Sequence, residues 1–178
     1  MKLDPHLYWI PLLITAAATF LAVFFLIRAA IRPKVPKDFS FTLTWGMNGI
    51  SSYDSTSGKL VKSSIEADLE KYTTQLILDE GQRAEIYRML KSLRLEQYPG
   101  SLDPFPDHRS KPTTNIILTM TVNGKTRSIL CHGIGLVPAD QAPEGARRRL
   151  AETIESLIQF IAATPEWQSL PPYKVYVS

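Results

Sequence analysis

The hydrophobic and polar positions divide the chain into one uninterrupted apolar run followed by segments of alternating or helical rhythm. Leu7 to Ile27, reading LYWIPLLITAAATFLAVFFLI, holds 21 consecutive residues without a charge. As a helix it would extend roughly 31 Å, about one hydrocarbon core, which predicts a membrane-spanning helix. Tyr8 and Trp9 stand at one end, where amphipathic rings favour the headgroup layer, and Arg28, Arg32, Lys34 and Lys37 follow the other. A cleavable signal peptide has a shorter apolar core and a small-residue cleavage site. Here Arg28 and Arg32 flank the Ala29-Ala30 pair, and no cysteine lies near for lipid attachment. The expected organisation is a tail and transmembrane helix over residues 1–31, a Pro-containing stalk over 32–38, and a single domain over 39–178.

Beyond the stalk the rhythm becomes two. Phe39, Phe41, Leu43 and Trp45 alternate with Ser40, Thr42 and Thr44, the pattern of a half-buried strand. ISSYD, the turn-forming STSG and KLVK predict a hairpin, and YTTQLIL over 72–78 a further strand. Asp79 and Gln82 have capping-box spacing for a helix from about Glu80 to Leu93, with Ile86, Met89, Leu90 and Leu93 as its stripe. TNIILTMTV and KTRSILC flank Asn123-Gly124, a strong signal for a two-residue hairpin turn. That turn pairs Val122 with Lys125, Met120 with Arg127, Leu118 with Ile129 and Ile116 with Cys131 on one face, and turns His132 to the other.

Ala146, Leu150, Ile154, Leu157, Ile158 and Ile161 then mark a long amphipathic helix, with Pro143 and Glu144 suited to its first turn. Thr164, Pro165 and Glu166 open a short turn carrying Trp167, and Tyr173 to Val177 is a candidate edge strand. This order predicts an α+β fold: an N-terminal transmembrane helix followed by a mostly antiparallel sheet with two helices packed on one face. Only PGSLDPFPDHRSKP, residues 99–112, reads as irregular.

Charge sharpens the division. The whole chain is +3, with 20 Lys and Arg against 17 Asp and Glu. Residues 1–37 hold five of the basic residues and one acid, so the domain itself is −1 and has no electrostatic support for nucleic-acid binding. Four basic residues follow the apolar run, against Lys2 and Asp4 before it, so the positive-inside rule predicts a cytoplasmic domain. Export of the domain is the alternative, since an N-terminal apolar segment also serves that route.

The run FSFTLTWGMNGISSYDSTSGKLVK, with IY at 86 and 87, YP at 98 and 99, and TPEWQSLPPY at 164–173, resembles a family of uncharacterised bacterial domains. Their members are usually tethered to a membrane by an N-terminal helix or a lipid. The resemblance covers nearly all of residues 39–177. It implies a bacterial, often cell-envelope, domain and brings no activity, ligand or catalytic residue with it. The missing anchor cysteine separates this chain from lipid-anchored members.

Candidate chemistry is sparse. Cys131-His132 has the residue types of a nucleophile and base, but neighbours on a strand diverge to opposite faces, which favours a buried structural thiol. Asp103, Asp107 and His108 in the proline-rich stretch offer oxygen and nitrogen ligands, too few for calcium or zinc spacing, and make this loop the first candidate binding surface. Arg147, Arg148 and Arg149 could meet anionic headgroups, although Asp140, Glu144, Glu152 and Glu155 stand near enough to offset them. The serines at 51, 52, 55, 57, 63 and 64 fit turn chemistry, and no GxSxG, SxxK, phosphate loop or HExxH occurs. Trp45, Tyr53, Tyr72 and Trp167 are expected in the core or lining a pocket. No cofactor is implied. The function expected is a membrane-anchored, non-enzymatic interaction module with a protein partner; an envelope enzyme using residues 99–112 and an anionic-lipid sensor using the arginine run are the alternatives.

Overall fold

The computed structural model describes residues 34–46, 50–65, 68–105, 114–134 and 138–172. The chain divides between Lys34 and Val35, and the fold below is that of the second unit. The expected span from Leu7 to Ile27 and the expected strand from Tyr173 lie outside the described residues. Among the described residues no helix is long and apolar enough to cross a membrane.

The domain is α+β. Strands β1 (Ser40–Trp45), β2 (Ser51–Asp54), β3 (Lys59–Val61), β4 (Thr73–Gln75), β5 (Ser101–Leu102), β6 (Asn115–Val122) and β7 (Lys125–His132) form one sheet in the order β4-β3-β2-β1-β6-β7-β5. Every neighbouring pair is antiparallel except β5 with β7, which is parallel. The helices are α1 (Glu80–Leu93), α2 (Ala146–Ala162) and the single-turn α3 (Pro165–Ser169).

The period-two segments build the core. Phe39 and the β1 residues Phe41, Leu43 and Trp45 are buried, as are Tyr53 and Leu60 beside them and Ile116, Leu118, Ile129 and Cys131 across β6 and β7. Helix α1 adds Ile86, Tyr87, Leu90 and Leu93 to that layer and α2 adds Leu150, Ala151, Ile154, Leu157 and Ile161, so both long helices cover the same face. The Phe39 ring meets Tyr87 edge-on at 4.9 Å between centroids, joining α1 to the start of the sheet.

Local signals determine where these elements begin. The Asp79 carboxylate accepts the Gln82 N–H at 2.8 Å while the Gln82 side chain accepts the Asp79 N–H at 3.0 Å, a reciprocal capping box that fixes the start of α1. Asn123 and Gly124 both hold positive φ, 50° and 71°, and the β6–β7 register is the one the turn predicts, from Val122 opposite Lys125 to Ile116 opposite Cys131. Thr164 caps α3 and Pro165 occupies its first position.

Four expectations need correction. Residues 99–112 are not wholly irregular: Ser101 and Leu102 pair with Leu130 and Cys131, and Phe105 is buried. The strand expected over 72–78 shrinks to Thr73–Gln75, with one more bond from the Leu76 N–H to the Gly58 carbonyl, because the partner strand ends where the β2–β3 turn begins. In α1, Tyr87 joins the buried stripe, and Met89 packs against it only half-buried. Helix α2 starts after Pro143 and Glu144, with Gly145 as its cap at φ 94°.

The chain enters the sheet at a fastened corner. The Asp38 carboxylate accepts the Gly124 N–H at 2.6 Å, so residue 38 is tied to the β6–β7 turn. The Arg83 guanidinium of α1 donates to the Phe39 carbonyl and, at 3.4 Å, to the Lys37 carbonyl, and it lies over the Phe39 ring. The opposite end of the sheet carries β5 and the start of α2, where the Tyr98 hydroxyl donates to the Ala146 carbonyl at 2.9 Å.

Candidate functional site

Alternation along a strand sends half of its side chains away from the core, and no described helix covers that half. The uncovered face is built chiefly from β1, β6 and β7, in cross-strand rows set by the register. Asn115 stands opposite His132, Ile117 opposite Leu130, Thr119 opposite Ser128, and Thr121 opposite Thr126. Strand β1 adds Thr44 beside Ile117, Thr42 beside Thr119 and Ser40 beside Thr121.

These rows are joined sideways. The Thr119 and Ser128 hydroxyls lie 2.9 Å apart, as do those of Thr121 and Thr126, and His132 Nδ1 lies 2.9 Å from Asn115 Oδ1. Each pair holds its polar atoms at a fixed place on a rigid strand while leaving further lone pairs or protons for a partner. Between the polar rows lies one apolar band, where Ile117 is 43 % exposed beside the half-buried Leu130.

The middle of the face carries no acidic or basic chain from its three main strands. Strands β1, β6 and β7 place no carboxylate, lysine or arginine on it, and His132 is its imidazole. On β2, Asp54 turns the same way, but its carboxylate accepts the Thr56 N–H and the Ser57 hydroxyl, each at 2.8 Å. Burial opposes ionisation of Asp54, yet those donors outweigh it and hold the carboxyl below its ordinary range. The middle of the face is thus hydroxyls, one amide and one imidazole with a narrow apolar band, while Asp54 of β2 and the exposed Lys59 of β3 bring one charge of each sign to its margin.

The candidates named from the sequence do not converge on one place. Cys131 points into the core, and burial pushes its thiol up to about 12, so it stays protonated at neutral pH. His132 faces away from it toward Asn115. Asp103 is half-buried and its carboxylate accepts the Phe105 N–H at 2.9 Å, an Asx-turn bond that spends one oxygen on the backbone. Asp107 and His108 lie outside the described residues. Among the described residues no group of three His, Cys, Asp or Glu side chains could hold a metal ion.

The arginine run is partly occupied by its own surroundings. Arg148 Nε donates to the Ala142 carbonyl at 3.1 Å and Nη1 lies 3.7 Å from the Glu144 carboxylate, while Arg147 is half-buried and Arg149 exposed. Serines serve the turns: Ser51 donates to the Lys62 carbonyl at 2.6 Å, and Ser55 accepts the Phe41 N–H at 2.7 Å. Tyr53 is a core residue whose hydroxyl donates to the Leu76 carbonyl at 3.0 Å. Trp45 packs on Trp167 with centroids 5.4 Å apart, and Lys62 lies over the Trp167 ring while donating to the Trp167 and Leu170 carbonyls. Tyr72 is half-buried.

Three features escaped the reading of the sequence. Thr42-Leu43-Thr44 and Thr119-Met120-Thr121 announce hydroxyls at alternate positions of two strands, but only the register shows that they adjoin. Asp38 and Arg83 carry no local signal for their roles, since each bonds to backbone far away in sequence. No protein-family model matches the chain, and a search of curated proteins finds no relative.

Proposed function

We propose that this chain is a single-pass, membrane-tethered binding module whose ligand face is the uncovered side of the sheet. The observation that carries the reading is the contrast between the two faces. One is sealed by α1 and α2, and the other leaves paired hydroxyls and a 43 %-exposed Ile117 on a rigid support. Exposed polar rows on strands hold their positions without the ordering entropy that a loop surface pays on binding. The partner fitting this face is neutral and rich in hydrogen-bonding groups, a protein strand or a polar polymer rather than a polyanion. Tethering rests on the charge-free run from Leu7 to Ile27, and the basic residues after it argue for a cytoplasmic domain. Likeness to bacterial envelope domains supports the tether and leaves the ligand open.

Affinity capture of the full chain from gently solubilised native membranes, with Ile117→Glu and Thr119→Arg beside wild type, tests the ligand face. Wild type should retain a stoichiometric partner that both variants lose, and a triple Arg147→Gln, Arg148→Gln, Arg149→Gln variant should retain it. Equal recovery by all the chains, or no partner at all, overturns the assignment. Protease accessibility in intact and permeabilised cells decides the side of the membrane: protection in intact cells is expected, and cleavage there would place the domain outside.

A further inference from the structure

We propose that two copies of this chain pair edge to edge through β4, antiparallel, with Gln75 of one copy facing Gln75 of the other. This goes beyond the ligand-face reading and does not rest on it.

The two edges of the sheet are built differently. β5 is two residues long and stands between Pro99 and Pro104, and a short edge flanked by prolines resists pairing with another chain. At the other edge, the run Thr73-Thr74-Gln75-Leu76-Ile77 holds neither proline nor charge. The Lys62 N–H donates to the Tyr72 carbonyl and the Leu76 N–H to the Gly58 carbonyl, each at 2.8 Å, with Leu60 opposite Thr74 between them. Residues 72, 74 and 76 therefore turn their backbone groups to β3, and residues 73, 75 and 77 turn theirs outward. The Thr73 N–H is taken by the Glu70 carbonyl. Among the described residues, the Thr73 carbonyl and both backbone groups of Gln75 and Ile77 have no hydrogen-bond partner. Such a row of donors and acceptors is what an extended backbone recognises.

Apolar surface gathers at the same edge. Four large apolar side chains are exposed among the described residues; apart from Ile117 they are Ile65 and Leu69, in the connection into β4, and Ile77 directly after it. Ile77 is 71 % exposed. A methyl group on Gly58 would stand 2.6 Å from its Cδ1, so the bare glycine leaves Ile77 its place at the edge.

A second copy fits because this edge complements itself. With Gln75 on a two-fold axis, each Gln75 N–H meets the carbonyl of the other Gln75, and each Ile77 N–H meets the Thr73 carbonyl across the axis. The Thr73 carbonyl, both groups of Gln75 and the Ile77 N–H are all used in this register. Ile77 lies beside Thr73 of the other copy, a β-branched pair on one face. No like charges oppose each other within the run. At its ends, Lys71 is already paired with Asp68 at 2.7 Å, and the Asp79 carboxylate accepts the Gln82 N–H. The contact joins two seven-stranded sheets into one.

The test uses the full chain in mild micelles with a gentle oxidant, read by non-reducing electrophoresis, Cys131 being buried. Hydrogen-bonded antiparallel partners have Cα atoms about 5.5 Å apart, within the span of a disulfide. Gln75→Cys should therefore cross-link to a dimer. Thr73→Cys alone should not, since the two copies of residue 73 stand roughly 14 Å apart, whereas a mixture of Thr73→Cys and Ile77→Cys chains should. Sedimentation measures the association itself. Gln75→Pro removes one outward donor per copy and no bond to β3, and proline is tolerated on edge strands. Each hydrogen bond favours pairing by about fivefold, so the dissociation constant should rise by roughly thirtyfold or more, with an unchanged melting temperature. Ile77→Lys alters only an exposed side chain and should weaken the dimer as well, while Ile117→Glu should leave the cross-link intact. Equal cross-linking at 73 and 75, a dimer that survives both β4 substitutions, or a monomer at every concentration overturns the inference. So does a monomer whose thiol at 75 reacts slowly, which would show the edge filled by the same chain, or a thiol at 75 trapped on a different protein in native membranes.

Discussion

Ile117 and Leu118 are neighbours in sequence on opposite faces of the same central strand, and they should respond to substitution in opposite ways. Leu118 is fully buried, paired with Leu43 on one side and Ile129 on the other. Leu118→Ala removes about three carbon atoms from that layer, worth about 2.4 kcal/mol in transfer and more once the unfilled space is included, for a total of about 3–4 kcal/mol. Ile117, 43 % exposed beside Thr44 and Leu130, loses little when shortened. Ile117→Thr keeps a β-branched side chain and should cost less than about 1 kcal/mol. Urea unfolding of the full chain in mild micelles, followed by near-ultraviolet circular dichroism, measures both. With a urea slope of about 2 kcal/mol/M, the Leu118 variant should shift its midpoint down by roughly 1.5–2 M and the Ile117 variant by less than about 0.5 M. In partner capture the ranking should invert, Ile117→Glu abolishing recovery. Equal midpoint shifts, or a larger one at Ile117, would refute the reasoning, because a one-residue slip in register exchanges the two faces of the whole strand.

Three further outcomes follow from local geometry. Cys131 should resist a water-soluble thiol reagent until the domain unfolds, and Cys131→Ser should destabilise by about 1–3 kcal/mol in the same urea assay; rapid labelling of the folded chain would contradict its burial. Gly124→Ala should cost about 1–2 kcal/mol, since a methyl group there meets open space but φ is +71°, whereas Gly100→Ala, equally open and without that φ, should be close to neutral. Asp38 has its carboxyl lowered from 3.8, chiefly by the Gly124 N–H. Its contribution should be complete above the unfolded pKa of about 3.9 and disappear as pH falls through the lower folded value. Wild type should therefore be more stable than Asp38→Asn at neutral pH and converge with it in acid; a gap that widens in acid would reverse the sign.

What could be read before the fold was known divides by the range over which a signal acts. The capping box of Asp79 and Gln82, the Asn123-Gly124 turn and the Thr164-Pro165 start are complete within a few residues, so the sequence predicts them without knowing the sheet. The alternation of Phe39, Phe41, Leu43 and Trp45 specifies a buried face but not its neighbours. That β1 lies between β2 and β6 depends on non-local pairing. β5 was hidden because two residues are too few for periodicity, and only the edge of β7 defines Ser101–Leu102 as a strand. The site was less legible than the fold for the same reason. Asp103, His108 and the arginines attract notice by residue type, whereas threonines become a surface only once two strands set them side by side.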